Sequence, residues 1–140
     1  MSKAKEIIEL MQPFVDEGRL LERSYQSIDS QIGDFTTIKK NSEIIACAGL
    51  KLYENENIGE IYGLAVKSSF HNTTASSDLM KLLIKKALDL NLSSIFALSK
   101  YGGRFFFRFD FVETELSSLP LIRQKSYDNQ RNSIIYLKKL

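Results

Sequence analysis

The polar run Ser68-Ser69-Phe70-His71-Asn72-Thr73-Thr74-Ala75-Ser76-Ser77 lies between an apolar, strand-like segment and the clearest helix-like segment in the chain. A strand–loop–helix unit of this kind, spanning residues 60–90, is where a phosphate-bearing ligand would dock. The first turn of a helix exposes unpaired N–H groups and the positive end of the helix dipole. Thr, Ser and Asp in Asn72–Asp78 are also the usual helix-capping types, and both uses can hold at once. The one cysteine, Cys47, excludes an internal disulfide and a cysteine-cluster metal site. Its place in an apolar, strand-like run marks it as a small buried hydrophobe. The one histidine, His71, leaves no histidine-rich ligand set, so no protein-held metal is expected. The aromatic run 105–111, FFFRFDF, could present stacking surface beside arginine or pack into the core.

The elements that must position these residues follow from periodicity. Ile7, Ile8, Leu10, Met11, Phe14 and Val15 sit at helical spacing over 4–16, and Gly18 supplies the stop. A second, weaker amphipathic stretch runs from Ser24 to Ile32 and ends at Gly33. FTTIKK (35–40) and EIIACAGLKLY (43–53) read as a hairpin joined by Asn41-Ser42. NENIG is a turn. EIYGLAV is a third strand, with Glu60, Tyr62, Leu64 and Val66 on one face and Ile61, Gly63 and Ala65 on the other. The helix DLMKLLIKKALDLN buries Leu79, Leu82, Leu83, Ala87 and Leu90, and Asn91 closes it. SSIFALS is a buried strand, and GGRFFFRFDF holds a short helix. FVETEL is a strand, Pro120 opens a turn or short helix, and SIIYLKK is the closing strand. No repeat or linker divides the chain, so it reads as one α+β domain over residues 1–140.

Composition narrows the partners. Nineteen basic and seventeen acidic residues leave a net charge of +2, which is no bulk basic footprint for nucleic acid. No run approaches the roughly 20 apolar residues needed to span a bilayer, and the N-terminus lacks a secretory cleavage pattern. No nucleic-acid or membrane partner is expected, the expected location is cytoplasmic, and formation of a homodimer is left open.

The strand GEIYGLAVKSSFH, its polar loop and the apolar helix resemble the core of the GNAT N-acetyltransferases. ERS (22–24), FTTIKK, IACAGL (45–50), GEIYGLAV (59–66) and YDNQRNSIIYLKKL (127–140) resemble one branch in particular, the acetyltransferase domain of bacterial N-acetylglutamate synthase. The most specific pieces are Tyr127-x-x-Gln130-Arg131-x-Ser133 and the Ile-Ala-Cys-Ala strand. The resemblance implies the GNAT fold, a mixed central sheet flanked by helices. It also implies transfer of acetyl from acetyl-CoA, as co-substrate, to the α-amine of L-glutamate, a step of arginine biosynthesis, with no metal.

By the same resemblance Glu60 matches the general base, acting through water, because an ordinary carboxylate is a weak base at neutral pH. Ser99 matches the acid beside the departing sulfur, with Tyr101 as a rival donor. Arg23, Arg131 and Ser133 match the positions that bind glutamate, two guanidiniums for carboxylates and a hydroxyl. Leu64, Ala65 and Val66 match the strand beside pantetheine, and His71, Asn72, Thr73, Thr74, Ala75 and Ser76 match the pyrophosphate loop. That loop departs from the family pattern. His71 stands where Arg or Gln is usual, and Thr74 and Ser76 occupy places where glycine or another small residue is usual. The family's amino-acid-kinase-like domain does not precede this segment within the 140 residues, and the usual first strand is missing before the first helix. Two other readings remain open: an acetyltransferase for a different small amine, and a non-catalytic descendant that binds an amino acid or a partner through a degraded CoA loop.

Overall fold

The computed structural model describes residues 2–129 and 131–140. Gln130 of the C-terminal motif lies outside the described residues. In chain order the elements are α1 (Lys3–Asp16), α2 (Tyr25–Ser30), β1 (Phe35–Lys40), β2 (Glu43–Tyr53), β3 (Ile58–Val66), α3 (Ala75–Asp89), β4 (Ser94–Ser99), α4 (Gly103–Arg108), β5 (Val112–Thr114), α5 (Leu121–Lys125) and β6 (Ile134–Lys139). Short 3₁₀ turns join several of them. The strands form one six-stranded sheet in the order β1-β2-β3-β4-β6-β5. β3 and β4 run parallel, while β1–β2, β4–β6 and β5–β6 are antiparallel. This is the mixed α+β sheet expected. Its first strand follows two helices in the described chain.

Contacts group the chain into two compact units, the described residues up to Leu50 with Tyr62–Lys85, and Lys51–Ile61 with Lys86–Leu140. In the first unit α1 starts at Ser2, whose hydroxyl accepts from the Lys5 N–H at 3.2 Å. It ends at Gly18, where φ is 76°. There the Gly18 N–H donates to the Val15 carbonyl and the Arg19 N–H to that of Phe14, so the last carbonyls are satisfied by a left-handed glycine cap. The helix buries Ala4, Ile7 and Met11 against Ile28, Phe35, Ile44, Cys47 and Ala65. Each large apolar side chain so buried contributes about 1.5–3 kcal/mol. α2 is shorter than the periodicity suggests. It keeps only six residues before a 3₁₀ turn over Ile32–Asp34, and Ile28 alone is buried on it.

The β1–β2 hairpin turns on Asn41 and Ser42, both with positive φ (52° and 66°), between paired Lys40 and Glu43. That is the backbone twist a two-residue hairpin loop needs. A register shift between Ile38 and Lys39 inserts one extra β2 residue, a β-bulge.

In the second unit Phe96, Leu119 and Ile135 form a core with Tyr53, Ile58, Leu98, Leu116, Tyr127 and Leu137 packed on it. Phe106 stacks on Tyr136 with 4.9 Å between ring centroids, and Phe106 and Phe111 are buried. Two rings of the aromatic run are thus core, Phe105 and Phe109 are half-buried, and Phe107 is exposed. The stripe of α3 differs from expectation. Leu79, Met80, Leu83 and Ala87 are fully buried, whereas Leu82 and Leu90 are each 42% exposed. Met80 falls one residue past Leu79 on the buried side, and Leu82 lies on the flank; Leu90 follows the last helical residue. Asn91 closes the helix with φ at 58°. On β3 the two faces alternate only beyond Ile61, because Gly59, Glu60 and Ile61 are all buried.

Candidate active site

Glu60 lies in the second unit near the start of β3, only 8% exposed. A carboxylate so placed needs partners, since burying a lone charge is costly. Two are present. Arg123 Nε donates to Glu60 Oε1 at 2.9 Å, and the Tyr53 hydroxyl donates to the same oxygen at 2.8 Å. Tyr53 comes from the end of β2 and its ring packs on Phe96. Phe96 is also the residue paired with Glu60 in the parallel β3–β4 register. Arg123 comes from α5, where its Nη1 donates to the Ser126 hydroxyl at 3.0 Å. Burial first, and then the Glu60 charge and hydrogen bond, push the Tyr53 phenol well above its ordinary range, with Arg123 opposing. The phenol therefore stays protonated and remains a donor. Neither Arg123 nor Tyr53 is signalled by sequence spacing, because 63 positions separate Arg123 from the carboxylate it meets.

Ser99 ends β4. Its hydroxyl accepts from the Tyr101 N–H at 3.1 Å and donates to the Tyr101 carbonyl. That is the local turn expected of a serine at a strand end. Tyr101 is 54% exposed. Arg131 and Ser133 are half-buried in the loop before β6. Tyr127 closes that loop by donating its hydroxyl to the Ser133 carbonyl at 2.7 Å. Among the described residues the Arg131 guanidinium has no ion pair, which leaves its donors for a ligand.

The remaining predicted residues belong to the first unit. The Arg23 guanidinium lies 4.6 Å from the centre of the Tyr62 ring, a cation–π contact, and has no carboxylate partner among the described residues. Tyr62 is fixed in turn. Its hydroxyl donates to Asp34 Oδ2 at 2.8 Å and its ring meets Phe35 edge-on. The absence of a side chain at Gly49 makes room for that ring, since a Cβ there would stand 2.5 Å from Tyr62 Cζ. Leu64, Ala65 and Val66 follow on β3, where Ala65 is buried and its two neighbours half-buried. Cys47 is fully buried, and burial pushes its thiol up to about 12. It is a core residue, as its setting in the sequence implies.

The loop to α3 tests the fit of a pyrophosphate. Asn72 takes the left-handed conformation, φ 66°, that a glycine would otherwise supply. Thr74 and Ser76 do not have positive φ, so glycine is not required there. Ser76 and Ser77 stand in the first turn of α3, where amides lie too near the helix start to have a helical acceptor and can receive an anion. Other features oppose it. Thr73 caps the helix by accepting from the Ala75 N–H at 3.2 Å, and the Thr74 hydroxyl donates to Asp78 Oδ2 at 3.0 Å. Asp78 already holds a negative charge at the dipole's positive end. His71 Nε2 is spent on the Val66 carbonyl at 2.8 Å. The loop therefore offers backbone donors but few free cations. A cavity of about 780 Å³ lies beside α1, with Glu6, Glu9, Glu17 and Glu43 against Arg19, Lys67 and His71 on its walls. Its charge has the wrong sign for a polyphosphate. No metal-holding cluster occurs among the described residues, and no helix of theirs is long and apolar enough to cross a membrane.

Comparison with known proteins places this geometry. The acetyltransferase (GNAT) family matches residues 4–111. An amino-acid acetyltransferase of Aliivibrio fischeri is 33% identical over 133 residues, covering 95% of this chain and 30% of that protein. The amino-acid acetyltransferase of Yersinia enterocolitica is 31% identical over 96% of this chain and again 30% of its own length. Among solved structures, N-acetylglutamate synthase from Neisseria gonorrhoeae, complexed with coenzyme A and N-acetyl-glutamate, superposes with a TM-score of 0.93 at 31% identity. That match covers the whole of this chain and 34% of the other. The chain thus spans about a third of the length of the relatives it matches.

Proposed function

The chain belongs to the GNAT acetyltransferase family, and we propose that within it the chain transfers acetyl from acetyl-CoA to the α-amine of L-glutamate. The observation that carries this reading is the similarity to amino-acid acetyltransferases over 95% of the chain, together with the buried, hydrogen-bonded carboxylate of Glu60. Support for the CoA half is the start of α3, whose first-turn amides face no helical acceptor, and the fit of Asn72 at the loop's left-handed position. Leu64, Ala65 and Val66 offer strand backbone to pantetheine. Support for the acceptor half is that Arg23 and Arg131, the two cations matched to glutamate carboxylates, are both without an ion pair among the described residues, and that Ser133 follows Arg131.

In this mechanism Glu60, through a water, takes a proton from the ammonium of the acceptor. The freed nitrogen lone pair attacks the thioester carbon, the C–N bond forms, and the C–S electron pair leaves with sulfur. The thiolate takes a proton from Ser99 or from the Tyr101 phenol, and the second proton released by the nitrogen as it becomes the amide restores that hydroxyl, so the products are the neutral amide, the free thiol and the proton held at Glu60. No covalent enzyme intermediate is needed, consistent with a lone thiol buried in the core. L-Glutamate and acetyl-CoA are the partners this assigns.

One observation favours a second reading, a non-catalytic amino-acid-binding domain: Asp78 puts a carboxylate in the first turn of α3, where it opposes a bound anion. Titration calorimetry of the 140-residue chain with acetyl-CoA separates the two. Binding at sub-millimolar concentration supports the transferase. Absence of binding at millimolar acetyl-CoA overturns it.

A further inference from the structure

We propose that Arg123 and Tyr53 are positioning residues for Glu60, which fix its carboxylate so that Oε2 alone serves the reaction. This inference rests on the role given to Glu60 above. Both donors end on Oε1, at 2.9 and 2.8 Å, one from α5 and one from the end of β2. An oxygen that accepts from a guanidinium and a phenol has used its lone-pair directions, and the carboxyl group can no longer rotate freely. Among the described residues no other hydrogen bond to the Glu60 carboxylate is present. Among the described residues no fully buried side-chain oxygen or nitrogen lacks a partner, so Oε2 keeps contact with water. One oxygen is held and the other is wet.

The two donors are themselves braced. Arg123 is tied to Ser126, which donates back to the Arg123 carbonyl at 3.1 Å, and Tyr53 is packed on Phe96 with Lys51 Nζ 5.2 Å from the centre of its ring. The ion pair is mostly sheltered, with the Arg123 and Glu60 side chains 18% and 10% exposed. A misplacement of about 1 Å at a reacting group costs on the order of 100-fold in rate. A braced pair of donors on one oxygen prevents that misplacement without touching substrate.

The test is a double-mutant cycle on kcat with acetyl-CoA and glutamate. Arg123→Gln should lower kcat by roughly 10- to 100-fold, while each KM stays within about twofold. Arg123→Lys, which keeps a charge but loses the fork, should recover part of that loss, and Tyr53→Phe should cost a smaller factor. In the Glu60→Gln background, Arg123→Gln should add almost nothing, because its effect passes through the carboxylate. If Arg123→Gln does not fold, Arg123→Lys and Tyr53→Phe complete the same cycle. Losses that multiply in full with Glu60→Gln overturn the positioning role while leaving the base in place. Unchanged turnover in Glu60→Gln alone instead removes the base and the positioning role with it.

Discussion

Arg123 Nε and the Tyr53 hydroxyl meet at one atom, Glu60 Oε1, and through it two elements distant in sequence hold one carboxylate. Glu60→Gln replaces that charge with an amide that cannot take a proton. It should lower turnover by on the order of 100-fold or more, as loss of a general base does. It also leaves Arg123 without a counter-charge, so thermal unfolding should be followed alongside initial rates. A variant that folds with wild-type rate would take Glu60 out of the mechanism.

Gly49 and Tyr62 form the second constraint. Gly49→Ala would place a methyl 2.5 Å from a ring pinned by Asp34 and Phe35. Overpacking of this kind should destabilise the chain by about 1–3 kcal/mol in urea unfolding. The same change made on a Tyr62→Ala background should cost well under half as much. Equal costs in both backgrounds would mean that the ring does not feel position 49.

The hairpin turn holds Ser42 at φ 66°, a conformation that favours glycine. Ser42→Gly should therefore raise stability by about 0.5 kcal/mol, read as a higher melting temperature with an unchanged circular-dichroism spectrum. A lower melting temperature would contradict the assignment of the turn.

Alkaline pH should weaken the fold through Cys47. Its thiol titrates near 9.0 when free and near 12 when buried. Between those values the unfolded chain loses the proton and the native chain keeps it, so stability is full below pH 9 and falls as pH rises. One such group contributes a slope of about 1.4 kcal/mol per pH unit. The raised Tyr53 phenol adds to the loss above about pH 10, the ordinary tyrosine value. Urea midpoints from pH 8 to pH 11 should fall less steeply for Cys47→Ala than for wild type. Parallel slopes would show that the thiol is not the source.

Most of the architecture was legible because its signals are local. Gly18, Asn41-Ser42 and Asn91 stop or turn the chain where their backbone preferences say they should. The paired runs FTTIKK and EIIACAGLKLY alternate as strands do. The buried stripe of α3 is only partly legible, since Met80 and Leu82 are both apolar and only the folded chain buries the first and exposes the second. Glu60 becomes a candidate base through family resemblance, not through its own neighbours in the sequence. Arg123 and Tyr53 were not legible at all. A contact between a five-residue helix and a strand end leaves no periodic trace, and only the folded chain brings those donors to Oε1.

The central claim is the acceptor, and it is tested most directly by the initial rate of thiol release from acetyl-CoA with glutamate, aspartate and glutamine at neutral pH. If the proposed acceptor is right, kcat/KM for glutamate should exceed that of either analogue by at least about 10-fold. Arg131→Ala should erase that preference through a KM for glutamate raised about 10-fold or more, with the KM for acetyl-CoA nearly unchanged. Equal turnover of glutamate and glutamine, or an Arg131→Ala chain with unaltered dependence on glutamate, would contradict it.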